Sequence, residues 1–272
     1  MTVLRVENLR LANYTINIEF INKEAVAFWS YDKKTIARFF DIIAGINNNN
    51  NSCFYNDNNI YDNKEYFQAR LYFDFRKKYL STLKLNYLKE KFRQKYNLDF
   101  NKDEFKRVSE HLDIRGETEV NHVYRYTKVG NTFVNFALTR SLDKSIIIIN
   151  NPTINLSMQS DIDFVTAGLT DKSKFDLMIL GPDNLAAFAG KLDRICFFSN
   201  YTGEIITARG DDSLVVVRGK PEDIENVIYQ DEEKTIFLNY LTRAELRKLE
   251  KEMSLEAVPA EAIDKYVARF ET

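Results

Sequence analysis

Residues Ile146 to Thr153 read IIIINNPT. Four consecutive isoleucines predict a buried strand, with Ser145 to Ile149 at the centre of a sheet covered on both faces. The strand runs into Asn150 and Asn151 ahead of Pro152 and Thr153. An amide is no general base near neutral pH, and hard divalent cations prefer charged oxygen, so this pair is poorly suited to acid–base or metal chemistry.

Working outward, Asn131 to Leu142 (NTFVNFALTRSL) predicts a helix before that strand, and Asp176 to Leu180 (DLMIL) and Arg194 to Phe198 (RICFF) predict two more short apolar strands after it. The second leads to a turn at Gly203 and on to Glu204–Thr207. Nearer the start, Val3 to Leu11 and Tyr14 to Ile21 alternate apolar and polar residues about a turn at Ala12-Asn13, the pattern of an antiparallel hairpin. Ala25 to Trp29 is a short continuous apolar run. Thr35 to Ile46 follows with Ile36, Phe39, Phe40 and Ile43 at helical spacing and Gly45 at the expected helix end. A strand, a short loop and a helix in that order make the frame of a phosphate-binding loop. Leu80 to Tyr96 and Asn101 to Leu112 read as helices, the latter opening on Asn101 and Glu104 at capping-box spacing, so residues 80–130 predict an inserted helical lobe. Beyond residue 210, strands are expected near Ser213–Val217 and Thr235–Asn239, with helices near Pro221–Val227 and Arg243–Met253. That makes a small α+β appendage.

Composition bounds the possibilities. The 272 residues exceed one ordinary domain of roughly 100 to 200, and 44% hydrophobic content supplies a sizeable core. A net charge of -2 offers no overall attraction for nucleic acid. Cys53 and Cys196 form no CxxC pair, no secretory apolar stretch stands near Met1, and no apolar run approaches the roughly 20 residues of a membrane span. A reducing cytoplasm is the expected home, without direct transmembrane insertion. Asn47 to Asn51, five asparagines in a row, read as an accommodating polar loop. His111 and His122 have no carboxylate or cysteine at ligand spacing and predict no metal site.

The order of these elements resembles the ATP-binding subunits of ABC transporters over about residues 1–210, with 211–272 as the C-terminal region. In that family a stretch similar to IIIINNPT carries four aliphatics and Asp-Glu-Pro-Thr, the Asp serving Mg²⁺ and the Glu polarising the attacking water. Asn150 and Asn151 stand in their place. The resemblance implies an α/β, P-loop NTPase-like fold with an antiparallel layer, a mostly parallel central sheet and an inserted helical lobe. It also aligns Ala27 to Ile46 with the segment containing G-x-x-x-x-G-K-[ST]. The two glycines become Ser30 and Thr35, the lysine Ile36 and the hydroxyl residue Ala37. A rival register puts Lys34 and Thr35 at the lysine and hydroxyl positions, still without either glycine.

The remaining family motifs are similarly altered. Of the Leu-Ser-Gly-Gly-Gln signature only Gly130 matches, within Lys128–Thr132. The Ser-x-Leu-Asp turn is replaced by Asn155-Leu156-Ser157, the switch histidine falls near Pro182, and the glutamine position lies near Asp74. The resemblance therefore implies a non-catalytic, pseudo-ATPase subunit with no catalytic residue, cofactor or metal, held at the inner face of the membrane by a permease or an intact ABC ATPase subunit. An ATPase half whose partner supplies the active groups is the alternative reading, and a free-standing scaffold or sensor a third. Docking is expected on Tyr72, Phe73, Phe75, Arg76, Lys77, Lys78 and Tyr79, where rings and cations interleave.

Overall fold

The computed structural model describes residues 2–47, 52–76, 90, 94, 101–111, 128–209, 212–221, 224–239, 244, 247–248, 251 and 256–270. In chain order these form β1 (Thr2–Leu11), β2 (Tyr14–Ile21), β3 (Glu24–Trp29) and α1 (Lys33–Ile43). Then come β4 (Cys53–Tyr55), β5 (Asn58–Asn59), α2 (Lys64–Ala69), β6 (Arg70–Asp74), α3 (Lys102–His111) and α4 (Lys128–Ser141). β7 (Ile146–Asn150), α5 (Gln159–Leu169), β8 (Leu177–Gly181), β9 (Arg194–Phe198) and β10 (Ile205–Ala208) follow. The C-terminal elements are β11 (Ser213–Arg218), β12 (Val227–Gln230), β13 (Lys234–Asn239), β14 (Glu256–Pro259) and α6 (Ile263–Phe270). Most of the expected helices over Leu80–Tyr96 and Arg243–Met253, and His122, lie outside the described residues.

The central sheet has the order β10-β9-β3-β8-β7-β6, parallel from β9 to β6 with β10 antiparallel at one edge. The four isoleucines of β7 divide by parity. Ile146 and Ile148 join the cluster under the hairpin layer and α1, with Val26, Phe28, Phe39 and Phe40. Ile147 and Ile149 face the opposite way, among Phe136, Leu138 and Val165 of α4 and α5. Alternate side chains of a strand point to opposite faces, so a strand covered on both sides must be apolar throughout. In β2, one face only is covered, and burial alternates residue by residue. β1, β2, β4 and β5 make a second, antiparallel sheet in the order β2-β1-β4-β5. Its hairpin turn meets the central sheet at Gly203, where a Cβ would lie 2.7 Å from the Asn13 carbonyl oxygen and φ is +70°.

β11–β14 form a third, antiparallel sheet, ordered β12-β13-β11-β14. Here the expected helix near Pro221–Val227 is corrected: Val227 begins a strand that pairs with β13. Val227-Ile228-Tyr229 is β-branched and aromatic, and its packing on β13 overrides a short apolar pattern that fits either structure. β4, β5, α2, β6, α5, β14 and α6 were not foreseen in the sequence.

α3 is fastened to the core by charge. Asn101 Oδ1 accepts from the Glu104 backbone N–H at 2.9 Å, the expected N-cap. The Glu104 side chain does not return the bond, because it is taken by Arg107 at 2.9 Å and Arg140 at 2.8 Å. Arg140, 8% exposed, also donates to the Gly168 carbonyl and to Asp171, both at 2.9 Å. Hydrogen bonding from Arg107, opposed by burial and reinforced by Arg140, lowers the Glu104 pKa to about 2.

Because that pKa is depressed from an ordinary 4.5, the stabilisation from Glu104 is full above 4.5 and lost as pH falls through about 2. Urea unfolding at pH 7 is expected to show Arg140→Met less stable by about 2 kcal/mol, since Asp171 loses the Arg140 cation and Glu104 keeps only Arg107. A pH series on Glu104→Gln should lack part of the acid-induced loss seen in the unmodified protein. An Arg140→Met midpoint equal to wild type would remove the clamp from the account.

Candidate functional site at the strand ends

In an open parallel sheet flanked by helices, chemistry collects beyond the carboxyl ends of the strands. Here β3 is joined to α1 by Ser30, Tyr31 and Asp32 alone. Three residues are fewer than the four that separate the glycines in a G-x-x-x-x-G-K-[ST] loop. Asp32 is the N-cap of α1: one carboxylate oxygen accepts from the Lys34 N–H at 2.9 Å and the other from the Thr35 hydroxyl at 2.9 Å. The Thr35 N–H meets the Asp32 carbonyl at 3.1 Å. The Thr35 hydroxyl and Lys34 N–H hold the Asp32 carboxyl below the usual range, so it stays ionised. A negative charge thus sits where the helix end would otherwise attract an anion.

The aligned motif positions fall on both sides of this cap. Ser30 is fully buried, its hydroxyl accepting from the Asp32 N–H at 3.1 Å. Thr35 and Ile36 are buried within the helix, Ile36 in the core beneath the hairpin layer, and Ala37 is half-buried. Lys34, the residue of the rival register, is exposed in the first turn.

At the ends of β6 and β7 a second arrangement fills the space with side chains. Asp74, 8% exposed, pairs with Arg76 through Nε at 3.1 Å and Nη2 at 2.7 Å. Asn150 and Asn151 turn their amide donors onto the same carboxylate, at 3.4 and 3.2 Å. Burial pushes the Asp74 carboxyl up, but the Arg76 and Asn151 hydrogen bonds outweigh it and leave the pKa lowered. The two amides therefore act as donors to a carboxylate. Gly181 at the end of β8 closes over them, since a Cβ there would lie 2.7 Å from Asn150 Oδ1 and 2.9 Å from the Phe40 ring.

The end of β8 leads to buried Pro182 and half-buried Asp183, which accepts from the Thr153 N–H and hydroxyl at 3.1 and 3.0 Å. Burial raises the pKa of Asp183, and also that of Asp264 on α6. Asp264 accepts from the Trp29 indole N–H at 2.9 Å and from the Leu185 N–H. Lys33 lies over the Trp29 ring, 4.8 Å from its centre. Sequence reasoning missed Asp32, Asp183 and Asp264. An aspartate just before a helical pattern is a legible cap signal for the first; nothing local marks Asp264, 235 residues from its indole partner.

Other expected positions are dispersed. Gly130 lies in the first turn of α4, and the neighbouring Thr132 hydroxyl is spent on the Ile154 carbonyl at 2.6 Å. Ser157 is exposed in the loop before α5. Of the expected docking residues, Tyr72 and Phe75 are buried in the two core clusters and Phe73 is half-buried, so these rings pack the interior. Arg76 is exposed but engaged with Asp74, and Lys77, Lys78 and Tyr79 lie outside the described residues. Among the described residues no group of three or more His, Cys, Asp or Glu is placed to hold a metal ion, and no helix is long and apolar enough to cross a membrane.

No protein-family model matches the chain, and no curated protein matches it. Solved structures do. A protein named for cobalt transport ATP binding (CbiO-2) superposes with a TM-score of 0.64 at 14% identity, covering 88% of this chain and 93% of that one. An ATP-binding subunit of an ABC transporter gives 0.61 at 17%, covering 77% and 91%. CbiO1 from Clostridium perfringens, part of the CbiONQ transporter complex, gives 0.56 at 11%, covering 76% and 88%. At such identities the likeness establishes the fold. The chain has the α/β fold of ABC-transporter ATP-binding subunits, with its antiparallel and parallel sheets.

The Asp74 cluster makes its own test. Arg76→Met strands a buried carboxylate and is expected to cost about 2 kcal/mol in denaturant unfolding at pH 7. Adding Asp74→Asn to it should restore most of that loss; a double variant no more stable than the single one would show that the pair is not coupled. Gly181→Ala should cost about 1–3 kcal/mol through overpacking against Asn150 and Phe40.

Proposed function

We propose that this protein is a non-catalytic, pseudo-ATPase subunit on the ABC ATP-binding fold, which works through protein–protein contact in the assembly or regulation of an ABC-type membrane transporter. The observation that carries the reading is the Asp32 cap: the chain's own carboxylate holds the first-turn donors of α1, where a nucleotide would place its phosphates. A phosphate brought there meets like charge. At the neighbouring strand ends, Asn150 and Asn151 donate to Asp74, and Arg76 already neutralises that carboxylate, where Mg²⁺ would need charged oxygen of its own. These residues do not fit a magnesium nucleotide.

In this reading residues 1–210 form the ABC-ATPase-like domain and 211–272 a C-terminal region of separate sheet. The partners are a permease, a catalytically intact ATPase subunit or both, and they hold the protein at the cytoplasmic face of the membrane. With Tyr72 and Phe75 in the core, the docking surface in the expected segment reduces to exposed Arg76 and to Lys77, Lys78 and Tyr79, which lie outside the described residues. Ser30, Thr35, Ile36, Ala37, Gly130, Ser157 and Pro182 are then altered motif positions without a nucleotide role.

Calorimetric titration of the purified chain with millimolar Mg-ATP is expected to give no binding heat, and a phosphate-release assay no turnover. Stoichiometric binding that Lys34→Ala abolishes would overturn the reading in favour of a nucleotide-binding half with Lys34 and Thr35 in the phosphate loop.

A further inference from the structure

The C-terminal sheet is seated on the connection that Asp32 caps. Trp29, the last residue of β3 and 2% exposed, lies in one cluster with Leu214, Ile228, Ile236, Ile263 and Tyr266 from beyond residue 210. Its indole N–H is bound by Asp264, whose other carboxylate oxygen accepts from the Leu185 N–H. Tyr31, in the middle of the connection, stacks on Tyr229 of β12 with ring centres 4.4 Å apart, and meets the Trp29 ring edge-on at 4.6 Å. β12 is also tied to the end of β9, where the Ser199 hydroxyl donates to the Val227 carbonyl and the Asn200 N–H to the Ile228 carbonyl at 3.1 Å. Two of the connection's neighbours, a ring and a carboxylate, are thus supplied by the chain itself.

We propose that the C-terminal region is a built-in clamp on the β3–α1 connection, holding Ser30–Asp32 in the arrangement in which Asp32 caps α1. A loop of three residues between a buried strand and a helix has few conformations, and ordering it needs contacts that offset the lost freedom. In this chain those contacts are Asp264 with the indole and Tyr229 with Tyr31.

Amide hydrogen exchange on the full-length chain tests this. Trp29→Phe removes the indole donor and trims the ring, Asp264→Asn removes the charge, and Tyr229→Leu removes the stack. The expected result is an increase of about tenfold in exchange over residues 30–35 in each variant, with β7 unchanged. Folded variants with unchanged exchange at 30–35, or with a rise shared equally by β7, would overturn the clamp. Should Asp264→Asn fail to fold, Trp29→Phe and Tyr229→Leu decide it. Mg-ATP added to the unmodified protein keeps the two readings apart: protection of 30–35 by nucleotide would sink the pseudo-ATPase proposal, while the clamp would still stand or fall on the variants.

Discussion

A parallel sheet buried on both faces can present polar groups only at its strand ends, and this constraint shapes the whole molecule. β3, β7 and β8 are buried along their full lengths, with one parity of side chains packed beneath the hairpin layer and α1 and the other against α4 and α5 or, for Ala27 and Trp29 of β3, against the C-terminal region. Every charged or amide group that matters to the site, from Asp32 and Asp74 to Asn150, Asn151 and Asp183, stands at or just past a carboxyl end. The same geometry positions ligands in other open α/β folds.

What distinguishes this chain is where those end groups find their partners. Asp32 binds the helix it precedes, Asp74 binds Arg76 and two asparagines, Asp183 binds Thr153, and Asp264 comes from the C-terminal helix to bind Trp29. Taking a carboxylate out of water is costly unless it is paired or hydrogen-bonded; buried Asp74 has a guanidinium, half-buried Asp183 and Asp264 have neutral donors, and Asp32 is exposed. The opposed pKa directions follow the same division. Asp74, with a guanidinium beside it, is lowered, whereas Asp183 and Asp264, held mainly by neutral donors, are raised by burial.

The sequence-level reading succeeded where periodicity had a single physical meaning. Ile36, Phe39, Phe40 and Ile43 face the core from α1, RICFF is β9 residue for residue, and the hairpin lies where alternation put it. It failed where a short apolar run serves either structure, as at Val227–Gln230, and where a ring-rich segment reads alike whether it lines an interface or fills a core. Tyr72 and Phe75 are of the second kind, and burial alone separates the two.

By itself, then, the sequence determined β3, β7, β8 and β9 of the central sheet, the hairpin layer and the replacement of acids by amides at Asn150 and Asn151, because these depend on local pattern and residue chemistry. Tertiary structure decided what the amides do, which carboxylate they serve, and how the C-terminal region closes on Trp29. Asn150 and Asp74 are 76 residues apart and Trp29 and Asp264 are 235 apart, and no local propensity encodes contacts that only chain folding brings within hydrogen-bond range.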